Sequence, residues 1–124
     1  MRPGQQALVF WQWRGPPVLI DHRTYTVKPG CMQAHLDIYE QYGLATQTKH
    51  LGQPLAYMFT ESDELNTIVH IWVYENAADR ETRRAAMQAD PDWHVYLKKN
   101  REAGYLVSQV TKLMTPAKFA KIAK

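Results

Sequence analysis

The eleven residues LNTIVHIWVYE, 65–75, alternate with period two: Thr67, Val69, Ile71 and Val73 interleave with Asn66, Ile68, His70, Trp72 and Tyr74. Alternation of this kind sends the two sets to opposite faces of a β-strand. Three further strands are predicted: Val18–Val27, the short PLAYMFT at 54–60, and GYLVSQVTKLM at 104–114. Between the first two, Met32, Leu36, Tyr39 and Tyr42 recur at helical spacing, and Gly52 supplies a stop. After Glu75, an Ala- and Arg-rich stretch reads as a second helix with Asn76 as N-cap. It breaks at Asp90-Pro91 and restarts there, with Asp90 capping and Pro91 in the first position. The order β-α-β-β-α-β predicts an α+β, ferredoxin-like fold with a four-stranded antiparallel sheet and the helices on one face.

Which face the helices cover follows less directly. Val69, Ile71 and Val73 are compact and branched, a surface suited to packing under helices, so the ring-bearing set is expected to face away. The second and fourth strands would add apolar side chains to that side. An apolar patch of this extent is rare on a monomer, so a second copy is expected to cover it, sheet against sheet, enclosing a cavity. Asp21, Arg23 and Tyr25 share one face of the first strand. An enclosed Arg23 needs a carboxylate, for which Asp21 is a candidate.

A chain of 124 residues, 45% hydrophobic and 22% charged, fits one globular domain. Residues 1–17 read as an N-terminal extension and 18–124 as the domain. The apolar runs are far too short to span a membrane. Fifteen Lys and Arg against twelve Asp and Glu give a net charge of +3, but the signs are interleaved, which argues against nucleic acid as partner. In the tail TPAKFAKIAK, Lys118, Lys121 and Lys124 flank Phe119 and Ile122, which are expected to dock on the domain. The single cysteine, Cys31, excludes an internal disulfide and fits a reducing, cytoplasmic setting. His22, His35 and His50 are too scattered for a metal-ligand motif, and no phosphate loop, nucleophile elbow or carboxylate pair appears.

The segments RTYTVKPG, LNTIVHIWVYEN followed by ADR, and DPDWHVYL together resemble the NIPSNAP domain family, over about Ile20 to Phe119. The resemblance implies a dimeric α+β barrel, a fold shared with cofactor-free monooxygenases, haem-handling enzymes and isomerases; it implies no particular reaction. The family's functional-looking positions fall on Arg23, Tyr25, Asn66, His70, Trp72, Tyr74, Arg80 and Trp93. Asp21 stands where relatives carry a longer acidic side chain, and Glu64 where they often have Gly.

His70, with Arg23 and Tyr25, forms the candidate catalytic set, His70 as general base because an ordinary imidazole titrates near working pH. Trp72, Tyr74, Asn66 and Tyr57 are the candidate ligand-binding residues, suited to a small apolar or aromatic molecule. No cofactor or metal is expected. Three readings stay open: a small-molecule enzyme such as a cofactor-free oxygenase or isomerase, a ligand-binding module with the same pocket and no chemistry, and an interaction or scaffold module whose barrel is only a dimer core. A solidly packed cavity would favour the third.

Overall fold

A computed structural model describes residues 17–120 and residue 122; the extension expected at 1–17 thus lies outside the described residues but for Pro17. Strands β1 (Leu19–Val27), β2 (Ala56–Phe59), β3 (Thr67–Tyr74) and β4 (Leu106–Met114) form one sheet. Its order is β2-β3-β1-β4, and the strand pairs are antiparallel. Helices α1 (Met32–Ile38) and α2 (Leu44–Leu51) flank a π-helical turn at Tyr39–Gly43, while α3 (Ala77–Ala89) and α4 (Pro91–Ala103) follow β3. This is the ferredoxin-like α+β arrangement expected from the order of elements.

The predicted caps are in place. The Asn76 side chain accepts from Asp79 N at 2.8 Å, and Asp90 accepts from Asp92 N at 2.9 Å. Proline at the first position of α4 forbids continuation of α3, so the second helix is two. His50, at the end of α2, sits 2.8 Å from Asp90 and ties the first helical hairpin to this junction.

The face assignment expected above is overturned. The even residues of β3, Ile68, His70, Trp72 and Tyr74, are all buried, and Trp72 and Tyr74 belong to one core with Tyr39, Leu51, Met87, Trp93 and Tyr96 from the helices. The odd residues Val69, Ile71 and Val73 lie on the opposite face, where Val73 packs with Val18, Ile20 and Ile122. The physical reason is a buried charge. Asp21 pairs in register with Trp72 and is 0% exposed, and its carboxylate meets Arg80 of α3. A carboxylate held by a helix must point toward that helix, and period two then carries the rest of its row with it. Ile122 docks as expected, whereas Phe119 remains 70% exposed.

The long first helix needs its π-helical turn. Eight residues of regular α-helix rotate about 80° beyond two full turns, so Tyr39 and Gln47 would diverge; one inserted residue brings them back to within about 20°. The Tyr39 hydroxyl donates to Gln47 Oε1. The turn closes on Gly43, where a Cβ would lie 2.9 Å from Tyr96 Cγ and 3.0 Å from Tyr39 Cδ1. Neither ring has room to retreat, because Tyr96 packs edge-on against Tyr39 and tilted against Trp93. The β2–β3 loop carries its own strain: Asp63, Glu64 and Asn66 all have positive φ.

Gly43→Ala is expected to lower unfolding free energy by about 1–3 kcal/mol through overpacking. Urea denaturation checks this, and an unchanged midpoint would refute the tight helix–helix approach.

Candidate functional site

Between the sheet and its own helices lies a cavity of about 160 Å³. Its floor is Arg23 and Tyr25 from β1, Tyr57 from β2, His70 from β3 and Gln109 from β4. The roof is mainly Tyr39, Gln47, Arg84, Gln88, Tyr96 and Asn100. A cavity of about 150 Å³ holds a benzene-sized molecule, so this one has room for a single ring. This space sits inside one chain, beneath its own helices.

The register explains the convergence on the floor. Arg23 pairs with His70, and His70 with Tyr57, so one row across β1, β3 and β2 delivers three of the candidate residues side by side. Tyr25, two residues along β1, completes the group. His70 stacks on Tyr57 with centroids 4.6 Å apart and meets the edge of Tyr25 at 4.6 Å. Trp72 and Tyr74 are fully buried in the core beneath the helices and do not line the cavity. Asn66 does not reach it either. It occupies the end of the β2–β3 loop with φ 69°, and its carbonyl accepts from Val27 N at 2.8 Å.

Behind the floor is a charge network. Arg23 Nε donates to Asp21 Oδ1 at 3.1 Å, and Arg80 Nε donates to Asp21 Oδ2 at 3.0 Å, so the expected Asp21–Arg23 pair is present with a helical arginine added. The other end of the Arg23 fork donates from Nη1 to the Tyr25 hydroxyl oxygen at 2.9 Å. Since that oxygen accepts from Arg23, its own O–H proton is free for another acceptor.

His70 is only 1% exposed. The Trp72 indole Nε1–H donates to its Nδ1 at 2.7 Å. An indole nitrogen is a donor only, so Nδ1 must be the bare nitrogen. Burial, reinforced by the Arg23 charge, pushes the imidazole down to about 3, so it is neutral and carries its proton on Nε2. That Nε2 is buried with no hydrogen-bond partner among the described residues. The phenols of Tyr39, Tyr57 and Tyr96 are held in the protonated form, their pKa values raised first by burial and then by neighbouring phenols. Among the described residues no carboxylate lines the cavity and no cluster of three His, Cys, Asp or Glu exists to hold a metal.

Sequence reasoning missed the roof. Arg84 and Gln88 continue the stripe begun by Arg80 at four-residue spacing, a signal that becomes readable once Arg80 is placed on the sheet-facing side of α3. Gln47 and Asn100 left no such trace.

A two-layer α+β chain with a polar, ring-lined cavity between helices and sheet is the class so defined. The NIPSNAP family model matches residues 20–121, and the chain belongs to that family. A NIPSNAP family protein of unknown function from Agrobacterium tumefaciens is 36% identical, with TM-score 0.79 over 88% of this chain and 96% of that one. An uncharacterised NIPSNAP-like domain protein from Burkholderia xenovorans is 31% identical, with TM-score 0.81, covering 89% of this chain and 94% of the other. Among curated relatives, human NipSnap homolog 3A is 31% identical over 77 residues, 61% of this chain and 30% of that protein. A putative NipSnap protein of Caenorhabditis elegans is 24% identical over 94% of this chain, a match spanning 22% of its own length. SnoaB, a cofactor-independent oxygenase from Streptomyces nogalater, shares the fold at TM-score 0.55 and 16% identity, over 82% of this chain and 94% of that one.

Nitrogen-15 NMR is expected to find His70 in the Nε2–H tautomer, untitrated between pH 5 and 8. The unfolded imidazole takes up a proton below about 6.5 and the folded one only near 3, so stability is full above 6.5 and falls as pH drops between those values. This contributes a slope of up to about 1.4 kcal/mol per pH unit. His70→Gln should flatten it in urea titrations, and an identical slope in that variant would contradict the assignment.

Proposed function

We propose that the protein binds a small, ring-sized molecule bearing an acceptor oxygen in the helix–sheet cavity. The observation that carries this reading is the buried Nε2–H of His70, a donor with no partner among the described residues in a cavity that holds one ring. An unsatisfied buried donor costs about 1–3 kcal/mol, which a ligand acceptor would recover. The Tyr25 O–H, freed by the Arg23 contact, is a second donor lining the same space.

On this reading His70 acts as a hydrogen-bond donor to developing negative charge; a nitrogen already occupied by Trp72 on a ring with pKa about 3 is a poor general base. Two neutral donors, with the Arg23 guanidinium behind one of them, suit an enolate or phenolate oxygen of the kind formed in cofactor-free oxygenation or isomerisation. Arg23 is thus a positioning residue here, while His70 and Tyr25 touch the ligand. Trp72 sets the tautomer of His70 and is equally a positioning residue.

A second copy of the chain is proposed to cover the open sheet face. Val110 and Met114 are 49% and 48% exposed there, beside Met58 and the partly exposed Val69 and Ile71, and among the described residues no helix packs on them. The same face favours the second reading, an interaction module in which the sheet is a dimer core. The two differ in whether the cavity takes a ligand.

Fluorine NMR with 4-fluoroacetophenone, a ring with one acceptor oxygen, tests the reading. The wild-type chain should broaden and shift the resonance, and His70→Phe with Tyr25→Phe, which removes both donors, should abolish the effect while circular dichroism stays unchanged. No effect of the wild type would favour the interaction module. Light scattering is expected to give a dimer for the wild type and a monomer for Val110→Asp combined with Met114→Asp; a wild-type monomer would refute the covered face.

A further inference from the structure

Arg84 stands apart from the other arginines of α3. Arg80 holds Asp21 and Arg83 holds Asp79, whereas the half-buried Arg84 makes no salt bridge among the described residues. Its electrostatic neighbours are Arg23, Tyr74, Arg80 and Asp21. Both oxygens of Asp21 are already occupied, one by Arg23 and one by Arg80. Three guanidiniums therefore share one carboxylate, and the uncompensated charge falls where Arg84 lines the cavity.

Arg84 and Gln88 also line an open groove along α3, together with Arg80 and Glu81. These two side chains are common to the groove and to the cavity, so they form the wall between solvent and the enclosed space. A guanidinium in such a wall presents a planar donor fork to whatever enters. Deeper in, the neutral donors of His70 and Tyr25 face a space walled by Tyr39, Tyr57 and Tyr96. Among the described residues none that lines the cavity is acidic, so none of them repels an anion or supplies a carboxylate base to create one there.

We propose that the ligand is an organic monoanion, a single aromatic or enolic ring bearing a carboxylate, with the carboxylate on the Arg84 guanidinium and the ring among the tyrosines. This rests on the ligand cavity of the preceding section and adds the charge of the ligand and the residue that reads it. The long arm of Arg84 spans groove and cavity, so the same cation attracts the anion from solvent and holds it at the mouth. Burial lowers the pKa of Arg84, with Arg23 the next cause, and a bound carboxylate would oppose that shift by favouring the charged form.

Isothermal titration calorimetry on the full chain with benzoate, benzamide and inorganic phosphate tests the proposal, benzamide being the neutral counterpart of benzoate and phosphate the charge without a ring. Benzoate should bind tighter than either. Arg84→Gln should weaken benzoate by at least about tenfold, the loss of one charged hydrogen-bonded contact, and weaken benzamide by clearly less. Arg84→Lys, which keeps the charge without the fork, should fall between. Equal benzoate affinity in wild type and Arg84→Gln would overturn the proposal, as would phosphate binding as tightly as benzoate. Benzamide binding at least as tightly as benzoate would overturn the anion while leaving the ring-sized cavity standing. Binding of no aromatic probe would remove both.

Discussion

The carboxylate of Asp21 decides how this molecule is assembled. It lies between the sheet and the helices with no exposure, one oxygen on Arg23 of its own strand and the other on Arg80 of α3. A buried charge must be matched, and here the match comes from a helix. That requirement turns the odd residues of β1 toward the helices, and the antiparallel register then turns Ile68, His70, Trp72 and Tyr74 the same way. One ion pair thus selects which of two apolar faces is covered. Removing the Asp21 charge alone would strand two guanidiniums, the costly way to break such a group.

From that choice the cavity follows. With polar-tipped rings under the helices, the layer between sheet and helices cannot be filled by aliphatic packing alone. Each ring brings a hydrogen-bonding atom that needs a partner, and several find one: Tyr39 with Gln47, Trp72 with His70, Tyr25 with Arg23. His70 Nε2 does not. The tautomer of that histidine is fixed by the donor-only indole beside it, so the unpaired atom is a proton donor pointed at acceptor chemistry. The π-helical turn in the first helix keeps Tyr39 and Gln47 together on the roof and lets α4 approach through Gly43.

Most of the architecture was legible in the sequence because it is written in local signals. Asn76, Asp90-Pro91 and Gly52 mark helix ends by their own backbone preferences, and period-two runs mark the strands. The Asp21–Arg23 pair was legible too, since an enclosed arginine needs a nearby carboxylate. The covered face was misread because alternation reports that two faces differ and is silent on which one a helix will choose; Val69, Ile71 and Val73 suit either an inner layer or an interface. The answer depended on Arg80, 59 residues from Asp21 along the chain. Arg84 becomes readable only once Arg80 is placed, and the roof residues Gln47 and Asn100 were invisible for the same reason. Their significance arises only when two helices are laid over the sheet, and no local pattern distinguishes them from solvated polar side chains.

The central claim is that the ring-bearing face of β3 lies beneath the chain's own helices. Nuclear Overhauser contacts in solution test it directly. Cross-peaks from the Trp72 indole to the side chains of Met87 and Trp93, with none from Val69 or Ile71 methyls to those residues, are the predicted result. Cross-peaks from the Val69 and Ile71 methyls to Met87 and Trp93, with the Trp72 indole showing none, would contradict it.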